Sequence, residues 1–169
     1  MIRTLIAVVL TIFCISNLHA ATVDTVTIYS EAMHKGFKCV VIQPDSHERS
    51  PAPRPVVYLL HGYSGNYSNW ITKVPELKSY ADQYGLIIVC PDGHYSSWYF
   101  DSPIDSTMRY ETYIGTEVPD YIDSHYPTIK DRTGRRQERC TWIFPCWMWL
   151  PSQLLDEAGA ASWRRDNSA

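Results

Sequence analysis

Residues 55–70 read PVVYLLHGYSGNYSNW, and this stretch decides the fold. Val56, Val57, Tyr58, Leu59 and Leu60 form an apolar run rich in β-branched and aromatic residues. It is long enough for one buried strand and too short for a helix. The run stops at His61-Gly62, and Gly62 and Gly65 permit backbone conformations that a side chain would forbid. A polar stretch and then a helix-like segment follow. A buried strand opening into a glycine loop below a helix is how α/β enzymes set backbone N–H groups around a developing negative charge. Such enzymes also carry a nucleophile on a second strand-to-helix elbow, and no such elbow occurs in these 169 residues.

The segments around this motif extend the pattern. Upstream, Thr22 to Ser30 alternates as a strand, with Val26 and Ile28 on one face, and Phe37 to Ile42 forms a second, ended by Pro44. The two are expected as an antiparallel pair at the sheet edge. Pro44 to Pro55 holds four prolines and several charges, which predicts an exposed loop. Downstream, a helix is expected around Trp70 to Tyr84, closed by Gly85 as its C-cap. Leu86 to Cys90 reads as another buried strand, stopped by Pro91-Asp92-Gly93. A long loop leads to a helix over Tyr110 to Tyr126, which Pro119 is placed to kink. Tyr113, Ile114, Val118, Tyr121, Ile122 and His125 share one face of it. Strands alternating with helices predict an α/β sheet, parallel at its centre.

A further strand should follow Gly134. Instead the sequence changes character to RRQERCTWIFPCWMWLPSQLLDEAGAASWRRDNSA, with four of the six tryptophans and no clean strand-turn-helix pattern. Residues 135–169 are therefore expected to be an atypical tail, and a shifted reading frame or a truncation near Arg135 accounts for it.

Bulk properties fit one globular domain. Apolar content is 45% and aromatic content 13%, which argues against disorder. A net charge of -3, a pI near 6.0 and scattered Lys and Arg give no reason to propose nucleic acid as a partner. At the N-terminus, Arg3 precedes an apolar stretch from Leu5 to Ile15, and Ala20-Ala21 supplies small residues for cleavage. Residues 1–20 read as a signal peptide, with an uncleaved anchor as the alternative. The protein is expected to be secreted or periplasmic, with no membrane attachment after cleavage. Export makes disulfides possible, but Cys39 and Cys90 lie in apolar strand-like runs and are expected as buried thiols. No cysteine has metal-ligand spacing with histidine, so no metal is expected.

From Val23 to Gly134 the chain resembles the exported, esterase D-like branch of the α/β-hydrolases. That branch includes S-formylglutathione hydrolases, feruloyl and acetylxylan esterases and tributyrin esterase. The resemblance rests on YLLHGYSGNYSNW at 58–70, IIVCPDG at 87–93, SSWYFDSP at 96–103 and YIDSHYPTIKDRTGR at 121–135. It implies the N-terminal part of an α/β-hydrolase sheet, a secreted serine carboxylesterase with no cofactor, and a small ester or acylated carbohydrate as substrate. It also implies that a G-x-S-x-G elbow should come next, with an acid and a histidine later; none is present.

By that resemblance Gly62-Tyr63-Ser64-Gly65 is the oxyanion loop, and the Tyr63 backbone N–H is the expected donor. Ser64 is not a nucleophile, because an elbow needs a glycine two residues past its serine and Asn66 stands there. Gly62 and Ser64 are expected beside the substrate. Trp98 and Tyr99 lie on a loop after a sheet strand, either as a wall of the substrate pocket or as packing for the loop. His61 is expected to pack behind the loop and fix it by hydrogen bonding. Asp92 and Asp101 are read as turn-stabilising carboxylates, and no role is assigned to His94 or His125. Two other readings stand beside the esterase one: a non-catalytic secreted protein that binds carbohydrate or protein, and a fragment whose open sheet edge prevents stable folding.

Overall fold

The computed structural model describes residues 21–45, 52–131 and 134–139. The expected signal peptide and most of the expected tail lie outside them. Five strands form one sheet in the order β1-β2-β4-β3-β5: β1 Thr22–Ser30, β2 Lys35–Gln43, β3 Val56–Leu60, β4 Ile87–Pro91 and β5 Arg135–Arg139. β1 and β2 are a hairpin in register from Thr22↔Gln43 to Ser30↔Lys35, and β2 runs antiparallel to β4. β3 runs parallel to both β4 and β5. The antiparallel pair at one margin and the parallel centre are as the alternation of elements requires.

Every residue of β3 and β4 is buried, so both faces of the sheet are covered. Successive side chains of a strand point to opposite faces. Val56, Tyr58, Leu60, Ile87 and Val89 join one core, beneath Tyr113, Ile114, Val118 and Ile122. Val57, Leu59, Ile88 and Cys90 join the other, beneath Trp70, Val74, Leu77 and Ala81. Each large side chain buried this way contributes about 1.5–3 kcal/mol, which fixes the register, because a one-residue slip would exchange the two sets. Cys39 belongs to the first core and Cys90 to the second. These neighbouring-strand thiols thus point to opposite faces and stay free and buried; burial pushes both thiols above their ordinary value.

Two expectations need correction. The helix expected over Trp70 to Tyr84 is two helices, α1 Asn69–Lys73 and α2 Leu77–Tyr84. Pro75 lies in the break, where it can supply no helical N–H. The segment over Tyr110 to Tyr126, here α3, is a composite: Tyr110–Thr112 and Val118–His125 are α-helical, and Tyr113–Glu117 between them is π-helical. The wider turn ends just before Pro119, whose ring would otherwise press on the Gly115 carbonyl. Residues 135–139, read as the start of the tail, form β5 alongside β3.

Gly85 ends α2 with φ of 60° and ψ of 37°, the left-handed cap expected of it. Its carbonyl accepts from Arg54 Nη1 at 3.3 Å, and a Cβ there would stand 2.7 Å from that nitrogen. Gly85→Ala is therefore expected to lower the unfolding free energy by about 1–2 kcal/mol. Urea denaturation checks this, and an unchanged midpoint would contradict the cap geometry.

Candidate functional site

β3 and β4 run parallel and adjacent, so the loops after them emerge side by side at the carboxyl edge of the sheet, where open α/β sheets bind ligands. The junction is built around His61, whose ring is buried. The Gly93 N–H donates to His61 Nε2 at 2.8 Å. Because Nε2 accepts, the ring proton is on Nδ1, which donates to the Gly62 carbonyl at 2.8 Å. The Tyr99 hydroxyl closes the ring of contacts, donating to the His61 carbonyl at 3.0 Å. Both imidazole nitrogens are thus occupied in holding two loops together. His61 packs behind the glycine loop and fixes it, the arrangement expected of a histidine with no catalytic partner.

The close approach explains the glycines. A Cβ at Gly93 would fall inside the Tyr99 ring, and one at Gly65 would stand 2.8 Å from His61 Nδ1 and 2.9 Å from the Gly62 carbonyl. Left-handed backbone in this loop falls on Ser64, with φ of 58°. The Ser64 N–H donates across to the Tyr95 carbonyl at 2.9 Å, and the Gly65 N–H returns to the Gly62 carbonyl at 3.0 Å. Tyr63 stands between these anchored residues, at the start of the turn.

The second loop is more unusual. His94, Trp98 and Tyr99 also have left-handed φ, at 62°, 54° and 55°. Such residues cost about 1–3 kcal/mol each and persist only where their surroundings over-determine them. Here Ser97 supplies the constraint: its hydroxyl donates to the Gly93 carbonyl and accepts from the Tyr99 N–H at 3.2 Å.

This backbone separates the two residues expected on a substrate wall. Tyr99 turns inward to His61 and is buried, so its contacts are with the loop. Trp98 turns outward and is 61% exposed. It stands 6.2 Å from the ring of Tyr63, which makes an edge-to-face contact at 4.8 Å with Tyr95. Tyr63 and Tyr95 are 42% and 54% exposed, so three rings form one open aromatic surface at the loop mouths. Tyr95 was not singled out from sequence; its place next to the Asp92-Gly93 turn was the available signal. The Tyr95 phenol beside Tyr63 raises the Tyr63 hydroxyl above its ordinary value.

The carboxylates hold structure. Asp92 Oδ1 accepts the His94 N–H at 2.8 Å, an Asx turn. It lies 3.9 Å from His61 Nε2, too far for a hydrogen bond. Burial works to raise the Asp92 carboxyl, but backbone N–H groups of His94 and Tyr67 act against it, and it lies below its ordinary value. Asp101 does more than brace a local turn: it accepts from the Thr112 N–H at 3.1 Å and hydroxyl at 2.6 Å, anchoring the start of α3. At Asp101 the desolvation that would raise the carboxyl is outweighed by those bonds and by Arg109, so it too sits low. His125 stacks on Tyr121 at 4.0 Å, away from the loops. Among the described residues, no three His, Cys, Asp or Glu side chains group to hold a metal ion.

A carboxyl lower in the folded chain than in the unfolded one contributes stability that is complete above its unfolded value and lost as pH falls. Asp92 and Asp101 should therefore make the chain progressively less stable as pH drops below 3.8, their ordinary value. Thermal melts over that range should fall less steeply for Asp92→Asn and Asp101→Asn. Slopes equal to the parent's would show that neither carboxylate is tied to the fold.

Comparison with known proteins agrees with this architecture. A sequence profile described as "Putative esterase" matches residues 30–136. An acetyl esterase of Caldicellulosiruptor saccharolyticus is 25% identical over 116 residues, covering 63% of this chain and 42% of its own. A ferulic acid esterase structure superposes with a TM-score of 0.62 at 28% identity, over 72% of this chain and 48% of its own. An S-formylglutathione hydrolase from Agrobacterium tumefaciens, at 21% identity and a TM-score of 0.59, shares the fold over 73% of this chain and 50% of its own. The chain thus spans half or less of the length of these relatives. Its sheet is the N-terminal part of an α/β-hydrolase fold.

Proposed function

The chain belongs to the "Putative esterase" family of ester hydrolases, and from that premise we propose that it is the oxyanion-loop half of an exported serine carboxylesterase. The observation that carries this is the loop after β3, fixed through His61 with Tyr63 at its mouth. In the whole reaction a serine Oγ attacks the ester carbonyl while its proton passes to a histidine held by a carboxylate. The carbonyl oxygen becomes an oxyanion and accepts from the Tyr63 N–H. Collapse expels the alcohol, which takes the histidine's proton, and water releases the acid from the acyl-enzyme. One such backbone donor is worth roughly 3–4 kcal/mol in the transition state.

The substrate is a small carboxylic ester, with an acylated carbohydrate as the finer assignment. Gly62 and Ser64 border the reacting carbonyl. Trp98, with Tyr63 and Tyr95, offers flat apolar faces to an aryl or sugar ring. Tyr99 is a positioning residue, because its hydroxyl holds the His61 carbonyl.

The sequence contains no elbow serine, so the 169 residues as they stand should be inactive. Purified chain should hydrolyse p-nitrophenyl acetate no faster than buffer, and a fluorophosphonate should leave Ser64 unlabelled. Labelling of Ser64 together with turnover would overturn the assignment of this loop.

β5 favours a shifted frame. A strand parallel to the buried β3 ordinarily reads as an apolar run, yet RRQER contains no apolar residue. The family match also stops at 136, inside that strand. Read in another frame, the nucleotides after Gly134 should encode an apolar strand and G-x-S-x-G, followed by an acid and a histidine. Restoring that frame should yield esterase activity that is lost when the elbow serine becomes alanine. If neither other frame carries an elbow, the frame-shift reading falls. The exposed aromatic surface then favours a non-catalytic carbohydrate-binding relative, for which tryptophan fluorescence should respond to xylo-oligosaccharides in the parent and not in Trp98→Ala.

A further inference from the structure

We propose that removal of the signal peptide between Ala20 and Ala21 creates a new α-ammonium group whose structural receptor is Asp82, so that processing locks the margin of the sheet. The proposal rests on the exported reading above. The Ala21 nitrogen lies 2.9 Å from Asp82 Oδ2, and the Asp45 N–H donates to Oδ1 of the same carboxylate at 2.7 Å. Ala21 immediately precedes β1 and Asp45 lies two residues beyond β2, while Thr22 and Gln43 are paired across the hairpin. One carboxylate on α2 therefore holds both chain segments at the same end of the hairpin, one with each oxygen.

Ala21 is 5% exposed, and its side chain belongs to the core under α1 and α2. A small side chain at this position fits the packing there. In an uncleaved chain the Ala21 nitrogen is an amide, which could give Asp82 only one neutral N–H. Hydrolysis by a signal peptidase adds the hydroxyl of water to the Ala20 carbonyl and leaves an amine on Ala21, which is protonated near neutral pH. The same 2.9 Å contact then becomes a charge-assisted hydrogen bond. A peptidase needs the bond extended in its own site, and the Ala21 nitrogen is held against α2 in the folded chain. Cleavage must therefore precede docking of β1, and the ammonium arrives as the sheet closes.

The full chain, expressed with its leader in a secreting bacterial host, should give a product whose mass begins at Ala21. Equilibrium unfolding of that product should be compared with a processed form carrying one extra residue before Ala21, each with and without Asp82→Asn. The substitution should raise the unfolding equilibrium constant about five- to tenfold more in the protein that begins at Ala21. Asparagine keeps an acceptor oxygen, so this difference reports the charge. Equal effects in the two forms overturn the proposal, as does a processed product with no cooperative transition. A product cut elsewhere overturns it while leaving export intact. A chain that stays full-length in the cell defeats the exported reading, and this inference with it.

Discussion

One imidazole ring sets the geometry of the site. Two buried parallel strands end side by side, and what happens beyond their ends is decided by where the His61 ring is held. It accepts a backbone N–H from the loop after β4 and donates to a carbonyl in the loop after β3. A ring that uses one nitrogen as acceptor and the other as donor has one orientation and one tautomer. Two separate loops thereby behave as a single rigid piece. A histidine next to a glycine turn invites a reading as a catalytic base. Here the lone pair such a base would use already receives the Gly93 N–H.

The rigid piece also carries strain. Four of the five non-glycine residues with left-handed φ among the described residues lie in these two loops. Each conformation is unfavourable alone, yet each puts a group where the site needs it. Ser64 directs its N–H across to Tyr95, and the consecutive turns at Trp98 and Tyr99 send one ring out and the other in. The inward ring compensates by burying its area and placing its hydroxyl on His61. The outward ring is left beside Tyr63 and Tyr95 at the mouth. Outward display of Trp98 and inward bracing by Tyr99 are thus two results of one backbone conformation.

Much of this fold is written locally. VVYLL and IIVC can only be strands buried on both faces, and the hairpin before them alternates clearly enough to give its place at the margin. The breaks are harder to see. Pro75 is plain in the sequence, but Trp70, Val74, Leu77 and Ala81 all join one core across it, so the apolar spacing runs on through the interruption. The π-helical turn before Pro119 is similarly hidden, because Tyr113, Ile114, Val118 and Ile122 keep to one core on both sides of it. The directions of Trp98 and Tyr99 were not legible at all. Neither residue type predicts left-handed φ, and the cause lies in Ser97 and Gly93, two and six residues before Tyr99, and in His61, whose carbonyl holds the Tyr99 hydroxyl.

The contacts that fix the loop after β3 come from the loop after β4. Among the described residues, His61 meets Gly62, Asp92, Gly93 and Tyr99, all upstream of α3. Among the described residues, the hydrogen bonds that fix the His61 ring come from the loops after β3 and β4. The conflict is confined to one place, where five residues with no apolar side chain occupy a strand position beside the buried β3. A sheet tolerates such a strand poorly, because its neighbours demand apolar contacts on both faces. The loop feels none of that demand, since β3 is held on its other side by β4 in parallel register. The bonds that tie the loop after β3 to the loop after β4 therefore lie on the β4 side of β3, opposite the position that β5 fills.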